Sequence, residues 1–469
     1  MTRGRTVSGP GSTNRAPGPH RGISRGSSNI PRLDFKRTAA TGVEMLHRIP
    51  VAWVLWCLVL LGLLLRFHAA GEWNAGRPDS PQRLVGDEPG YNNLALALLD
   101  GRFFEWEGRV PLYPTWLAGV HWLTGRSYIA IPYVQSLLGV AVIPLTYLLG
   151  RRLVGQRSAM LAAFLSAISY SLIHEAMLLQ SEILFTPVLL VTAIMLVDAW
   201  QHPQLRRFVW LGCWVGISNL VRPTFLLLPP VLLLAFVWRF GRRGLRYGAV
   251  AGGVTMLVLT PWLVFGYLRH HAIYPLATSN AFLWQGSPEY YHLLHDEGYT
   301  YDQIWRGVIF APGEEEHWPH LIKGDRYWTK RALRSIASEP LVYLRFAIEK
   351  TGTYWVGDPL ADWGGSAPFD YHSLRRLGYT ERDALQIMVM RFLPILAFAA
   401  AAAMWRNWRT LTPIYLLLAY ATLLHAATHA EARLSEPFQP LLLLLIAAMA
   451  VRMGDHLMRL WLPAYADRG

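Results

Sequence analysis

An acidic pair, Asp87-Glu88, stands in the run Gly86-Asp87-Glu88-Pro89-Gly90-Tyr91. It follows the first long apolar stretch of the chain, and carboxylates at a membrane face are costly unless they are paired or used. A carboxylate so placed can take a proton from an attacking hydroxyl, which contributes about 10²–10⁴-fold to a rate. The pair can also serve only to start a helix, because Asp is a good N-cap and Pro89 suits a first helical position. The two roles are compatible. Next comes Arg109-Val110-Pro111-Leu112-Tyr113-Pro114. A guanidinium fork beside prolines matches the oxygens of a phosphate, although an interfacial Arg that snorkels looks the same. Glu182 after Ser181, Arg222 before Pro223, and Arg433 between Glu431 and Glu436 lie at the ends of other apolar runs. Each alone reads as an ordinary interfacial charge. Together they put both signs of charge at one membrane face, as a charged substrate at the interface requires. His425 and His429 are four apart and can share a helix face. No third ligand follows at helical spacing, so no metal site is expected.

These residues need elements to hold them. The chain has 469 residues, 53% hydrophobic and only 16% charged, where a soluble domain carries about 25% charged residues. Mean hydropathy is +0.23. The net charge of +13 comes from arginines in short loops between apolar runs, which favours a membrane over nucleic acid as the reason for it. Apolar runs predict spans at 50–68, 128–149, 158–174, 180–199, 208–222, 224–238, 248–268, 386–404, 411–428 and 437–453. The stretch 111–124 is a partly inserted helix or one more span. The fold class is therefore an all-α polytopic membrane protein of about ten or eleven transmembrane helices with a mixed, mainly helical extracytoplasmic domain.

The division that follows is a basic disordered tail over 1–45, a first membrane module over 46–268 with an outer loop at 69–127, an outer domain over 269–385, and a second membrane module over 386–469. Arg151, Arg152 and Arg157, then Arg206 and Arg207, then Arg239 to Arg246, then Arg406 and Arg409 fall on one side. That side is cytoplasmic by the positive-inside rule, together with both termini, and the acidic pair faces out. Cys57 and Cys213 sit inside apolar runs and read as small buried hydrophobes. No Gly-x-x-x-x-Gly-Lys-Ser/Thr loop for a nucleotide is present, so a group donor is expected in the membrane.

In this order and spacing the motifs resemble the GT-C class of integral-membrane glycosyltransferases, nearest in pattern to the protein O-mannosyltransferase and lipid A aminoarabinose transferase group. The residues that carry the likeness are Gly86 to Tyr91 with the following Leu94-Ala95-Leu96-Ala97-Leu98-Leu99, then Arg109 to Pro114, Ser181-Glu182, Leu220-Val221-Arg222-Pro223, Pro261-Trp262, and Glu431 to Pro437. The last of these usually has an aromatic residue where Leu434 stands. The resemblance implies a polyprenyl-phosphate sugar donor, an acceptor hydroxyl on the outer face of the cell membrane, and no required metal, with a divalent ion as an optional addition. It makes Asp87 the general base with Glu88 beside it. Arg109 takes the place near the donor phosphate; beside it, Arg222 and Arg433 are expected as further donor-phosphate residues, and Tyr91, Tyr113 and Glu182 as cavity residues. The acceptor, whether protein, lipid or glycan, stays open. Two other classes fit the same frame: a transporter or flippase for a lipid-linked or anionic substrate, and a non-catalytic scaffold.

Overall fold

A computed structural model describes residues 50–102, 108–271, 276–277, 281–357 and 380–466. The expected tail over 1–45 lies outside the described residues, as does 358–379 of the expected outer domain. Among the described residues there is no β-strand. Seven helices are long and apolar enough to cross a membrane: Val51–Asn74, Ala130–Leu153, Glu182–Gln201, Arg242–His270, Ala384–Ala403, Trp405–Ala427 and Ala432–Arg459. The first has 24 residues, about 36 Å at 1.5 Å per residue, against a hydrocarbon core of about 30 Å. The chain is an integral membrane protein.

Helix α1 (Val51–Asn74) turns Trp53, Trp56, Leu60 and Leu64 outward and buries Gly62, Arg66 and Ala70 on one face. Arg66 is fully buried and donates to the carbonyls of Gly62, 3.1 Å, and Leu172, 3.2 Å. Helix α2 (Glu88–Leu99) begins within the acidic pair and packs on α3 (Leu112–Thr124). The stretch 111–124 is thus a helix of 13 residues, too short to span on its own. Helices α4 (Ala130–Gly139) and α5 (Val142–Leu153) form one span. The expected span 158–174 is broken into α6 (Gln156–Ile168) and α7 (Tyr170–His174) at Ser169, whose backbone is extended and whose hydroxyl donates to Gln439 Oε1 at 2.6 Å.

Helix α8 (Glu182–Gln201) is apolar all round and stands in the core, with Phe185, Leu189, Ala193, Leu196 and Trp200 buried. A helix with no polar face belongs inside a bundle. The expected spans 208–222 and 224–238 are shorter helices, α9 (Leu205–Val221) with 17 residues and α10 (Leu228–Phe240) with 13. Pro223 forces the preceding Arg222 into an extended backbone, φ −156°, ψ 127°, and so ends α9 there. Helix α11 (Arg242–His270) packs along both. Its approach to α9 is set by two glycines. A Cβ on Gly212 would lie 2.4 Å from the Ala251 carbonyl oxygen, and one on Gly216 2.7 Å from Val258 Cβ. Small residues let membrane helices come this close.

The segment after α11 folds, as its aromatic content predicts. Helices α12 (Pro288–His295), α13 (Ile322–Ser338) and α14 (Pro340–Val356) surround Trp284 and Trp328, whose ring centroids are 4.6 Å apart. Of the last three helices, α15 (Glu381–Ala403), α16 (Trp408–Ala427) and α17 (Gln439–Ala466), it is α16 that carries this segment. Trp355 Nε1 of α14 donates to Thr422 Oγ1 at 3.0 Å, and Tyr343 Oη donates to the Ala427 carbonyl at 2.9 Å.

Candidate active site

Asp87 is the N-cap of α2, yet its side chain makes no capping bond. The carboxylate is used elsewhere. Arg109 Nη2 donates to Oδ1 at 2.7 Å, and Arg433 Nη2 donates to Oδ2 at 3.1 Å. These guanidiniums come from 22 and 346 residues away in sequence, so only the fold brings them together. Burial acts to raise the Asp87 carboxyl, but Arg109 and Arg433 outweigh it and hold the group below the usual carboxylate range. The side chain is still 41% exposed. It is therefore a charged acceptor open to an incoming molecule.

Glu88 is placed differently. It is buried, and its two oxygens accept the backbone N–H groups of Val85 and Leu179, each at 2.9 Å. Expected beside Asp87 in catalysis, it instead ties the loop before α2 to the loop before α8, and both its oxygens are taken. Burial outweighs those two bonds and raises its carboxyl.

The remaining expected residues mostly converge. Arg222 Nη1 meets Glu182 Oε1 at 2.6 Å, at the extended residue that closes α9 and the first residue of α8. Glu182 Oε1 also lies 4.0 Å from Arg433 Nε, which makes no hydrogen bond of its own. The Tyr91 ring carries the Arg109 guanidinium 4.6 Å from its centroid, and its hydroxyl donates to Ser181 Oγ at 3.2 Å. Tyr113 stands behind Tyr91 as a T-shaped partner, 5.0 Å between centroids. It is fully buried with its hydroxyl on Gln135 Oε1 at 2.9 Å, so it packs behind Tyr91 with its polar group already paired.

Two contributors are not among the expected site residues. Glu431 is buried and meets Arg433 Nη2 at 3.3 Å and His429 Nε2 at 2.7 Å. The histidine pair is thus spent on Glu431 and, through His425 Nδ1, on the His429 carbonyl at 2.9 Å. Among the described residues no group of three His, Cys, Asp or Glu is placed to hold a metal ion. The oxygens of Asp87 face two guanidiniums. The second contributor is Arg391 of α15, buried within an apolar helix. A charge inside a span is by default a functional residue, and that is the signal that could have found it.

Arg391 and Arg433 share the wall of a cavity of about 220 Å³ with Tyr170, His174, Met390 and Glu436. Its apolar side is made by Ile387, Leu393 and Leu442 of the membrane helices α15 and α17. Arg433 therefore faces the acidic pair on one side and a space among membrane helices on the other.

Residues 109–294 match the family model for dolichyl-phosphate-mannose-protein mannosyltransferases. No curated protein matches the chain in sequence. The oligosaccharyltransferase AglB from Archaeoglobus fulgidus, in complex with an inhibitory peptide and a dolichol-phosphate, superposes with a TM-score of 0.52 at 15% identity over 88% of this chain and 51% of that one. The complex of the Archaeoglobus fulgidus oligosaccharyltransferase with Zn and sulfate gives 0.51 at 15% identity, over 86% and 49%. The chain thus spans about half the length of these solved relatives, and what they share with it is the fold. Residues 109–294 thus resemble a mannosyltransferase family, and the chain shares the fold of these GT-C membrane enzymes.

Proposed function

We propose that this protein transfers a sugar from a polyprenyl-phosphate-linked donor to an acceptor hydroxyl at the outer face of the cell membrane, with inversion. Asp87 takes the hydroxyl proton as the acceptor oxygen attacks the anomeric carbon. The bond from that carbon to the phosphate oxygen breaks, and its electron pair leaves with the polyprenyl phosphate. Arg433 and Arg109 stabilise the charge that grows on the phosphate, as fixed donors aimed at a developing anion do. Glu182 holds Arg222 and Arg433 in place behind them. Arg391 faces the same phosphate across the cavity beside Arg433. No metal takes part in this scheme.

The observation that carries the reading is the doubly paired, half-open Asp87 beside a guanidinium that also lines a membrane-helix cavity. Two guanidiniums make Asp87 a weak base in the free protein. A donor phosphate competes for the same N–H groups, and every one that turns to the phosphate is withdrawn from Asp87. Basicity at Asp87 then rises when the donor is in place, which orders the reaction. The family model's dolichyl-phosphate donor and the dolichol-phosphate held by AglB support the lipid class.

The test is release of free lipid phosphate by purified protein given a panel of polyprenyl-phosphate sugars and a mixed hydroxyl acceptor. Arg433→Ala is expected to raise the donor KM by about tenfold or more, the loss of one charged hydrogen bond. No release from any donor by folded protein counts against transfer, and an unchanged donor dependence in Arg433→Ala counts against the phosphate role.

A further inference from the structure

A second cavity, of about 310 Å³, lies between the folded segment that follows α11 and the loop after α16. Its walls include Tyr299, Tyr301, Phe346, His295, Glu349 and Lys350, with His429 at the edge toward the acidic pair. We infer that this cavity seats the acceptor, and that the acceptor is a neutral glycan presenting a ring hydroxyl to Asp87. The inference rests on the transfer reading for its reaction, but its binding claim can be examined without turnover.

A chain of paired side chains runs from the wall of this cavity to Asp87. His429 Nε2 meets Glu431 Oε1 at 2.7 Å, Glu431 Oε2 meets Arg433 Nη2 at 3.3 Å, and that same Nη2 donates to Asp87 Oδ2 at 3.1 Å. Tyr301 lies in the same field: burial pushes its hydroxyl up, and the Glu431 and Asp87 carboxylates push it further. Its ring is stacked toward that of His429, 6.4 Å between centroids.

The chemistry of the walls selects among acceptors. A cavity near 300 Å³ is at the small end of ligand sites and suits a sugar ring. Such a ring has an apolar C–H face and a rim of hydroxyls. Aromatic side chains at Tyr299, Tyr301 and Phe346 line the cavity for the first, and the polar side chains of Glu349 and His295, which also pair with each other, line it for the second. Anionic acceptors fit poorly because the positive charges here are already spent. His295 Nε2 meets Glu349 Oε1 at 3.1 Å. Lys350 Nζ donates to the carbonyls of Thr428 at 2.6 Å and Gly286 at 3.3 Å, and burial pushes the ammonium down to about 7. Peptide recognition most often uses a sheet edge or an apolar helix groove. Among the described residues there is no strand, and the wall is half polar.

The experiment is saturation-transfer NMR on the full chain in detergent, with methyl hexosides and pentosides in one sample and a Ser/Thr peptide in another. At least one glycoside is expected to show transfer, reduced about tenfold in Tyr299→Ala, while the peptide shows none. Tyr299 is 42% exposed, so the change leaves the core alone. A steady-state arm uses Glu349→Gln, where the acceptor KM is expected to rise about tenfold with the donor KM unchanged. Transfer to the peptide and not to any glycoside overturns the inference, as does glycoside binding indifferent to Tyr299→Ala. Failure of donor release with glycoside binding intact instead condemns the transfer reading and leaves this cavity a glycan site.

Discussion

Replacing Asp87 by Asn removes one proton acceptor and one negative charge while keeping the size of the side chain. The wild-type carboxylate accepts from Arg109 Nη2 at 2.7 Å and Arg433 Nη2 at 3.1 Å. An amide can accept from one of these, but its NH₂ group then faces the other. The structural loss is nonetheless modest. Arg433 keeps Glu431 at 3.3 Å and Glu182 at 4.0 Å, and the Asp87 side chain is 41% exposed, so solvent screens the pair and the change costs about 1 kcal/mol of stability. Loss of a general base costs about 10²–10⁴ in rate, or about 2.7–5.4 kcal/mol of barrier at 1.36 kcal/mol per decade. Chemistry should therefore fall far more than folding. The assay is release of polyprenyl phosphate by purified Asp87→Asn at saturating donor, with thermal unfolding measured on the same sample. Turnover within about tenfold of wild type refutes the base assignment. Loss of turnover together with loss of the folded state would make Asp87 an architectural residue.

Glu88→Gln should do the reverse. One of its two backbone amides, Val85 or Leu179, loses its acceptor and faces an NH₂ group, so stability drops by about 1–3 kcal/mol while kcat per folded molecule holds within about tenfold. Unfolding curves and active-site-normalised rates decide it. Glu182→Ala leaves Arg222 without its 2.6 Å partner in a site where the two side chains are 6% and 20% exposed. It should cost about 3–5 kcal/mol, partly recovered by adding Arg222→Met, and a thermal shift on both variants measures this. The pH profile follows from Asp87. A depressed carboxyl contributes stability and activity that are full above its unfolded value of 3.8 and fade as pH falls through the folded value, so the acid limb of kcat/KM lies below pH 3.8. Arg433→Ala removes one of the two opposing guanidiniums and should move that limb upward, and a limb that stays in place argues against the pairing. Prolonged chelation should leave transfer unchanged, with loss restored by added Mg²⁺ or Mn²⁺ as the contrary result.

Apolar runs and proline positions made the helices legible, because both act within a few residues of themselves. The break at Ser169 was not, since it depends on a hydrogen bond to Gln439 across the fold. The charges at helix ends were visible as types and places: Asp87, Arg109, Glu182, Arg222 and Arg433 all meet in one network. Their pairing was hidden. Nothing local says that Asp87 leaves its cap for an arginine 346 residues on, or that Glu88, its neighbour, turns to two backbone amides instead. Arg66 and Arg391 lay in plain sight inside apolar runs, but their hydrophobic neighbours absorbed them into the span pattern. The two histidines showed their shared spacing but not their partner, because the short loop that follows them delivers Glu431 to one of them.

The two glycines between α9 and α11 reach further than packing. Helix α9 ends at Val221, directly before Arg222, so a methyl wedge at Gly212 or Gly216 would act on the charged site at a distance, as a lever acts through its fulcrum. Trp210, on the lipid side of the same helix, is 58% exposed and free to drift in identity. Random mutagenesis of this one helix should therefore yield two populations: silent changes on its outer flank, and losses of activity along the seam in protein that still reaches the bilayer.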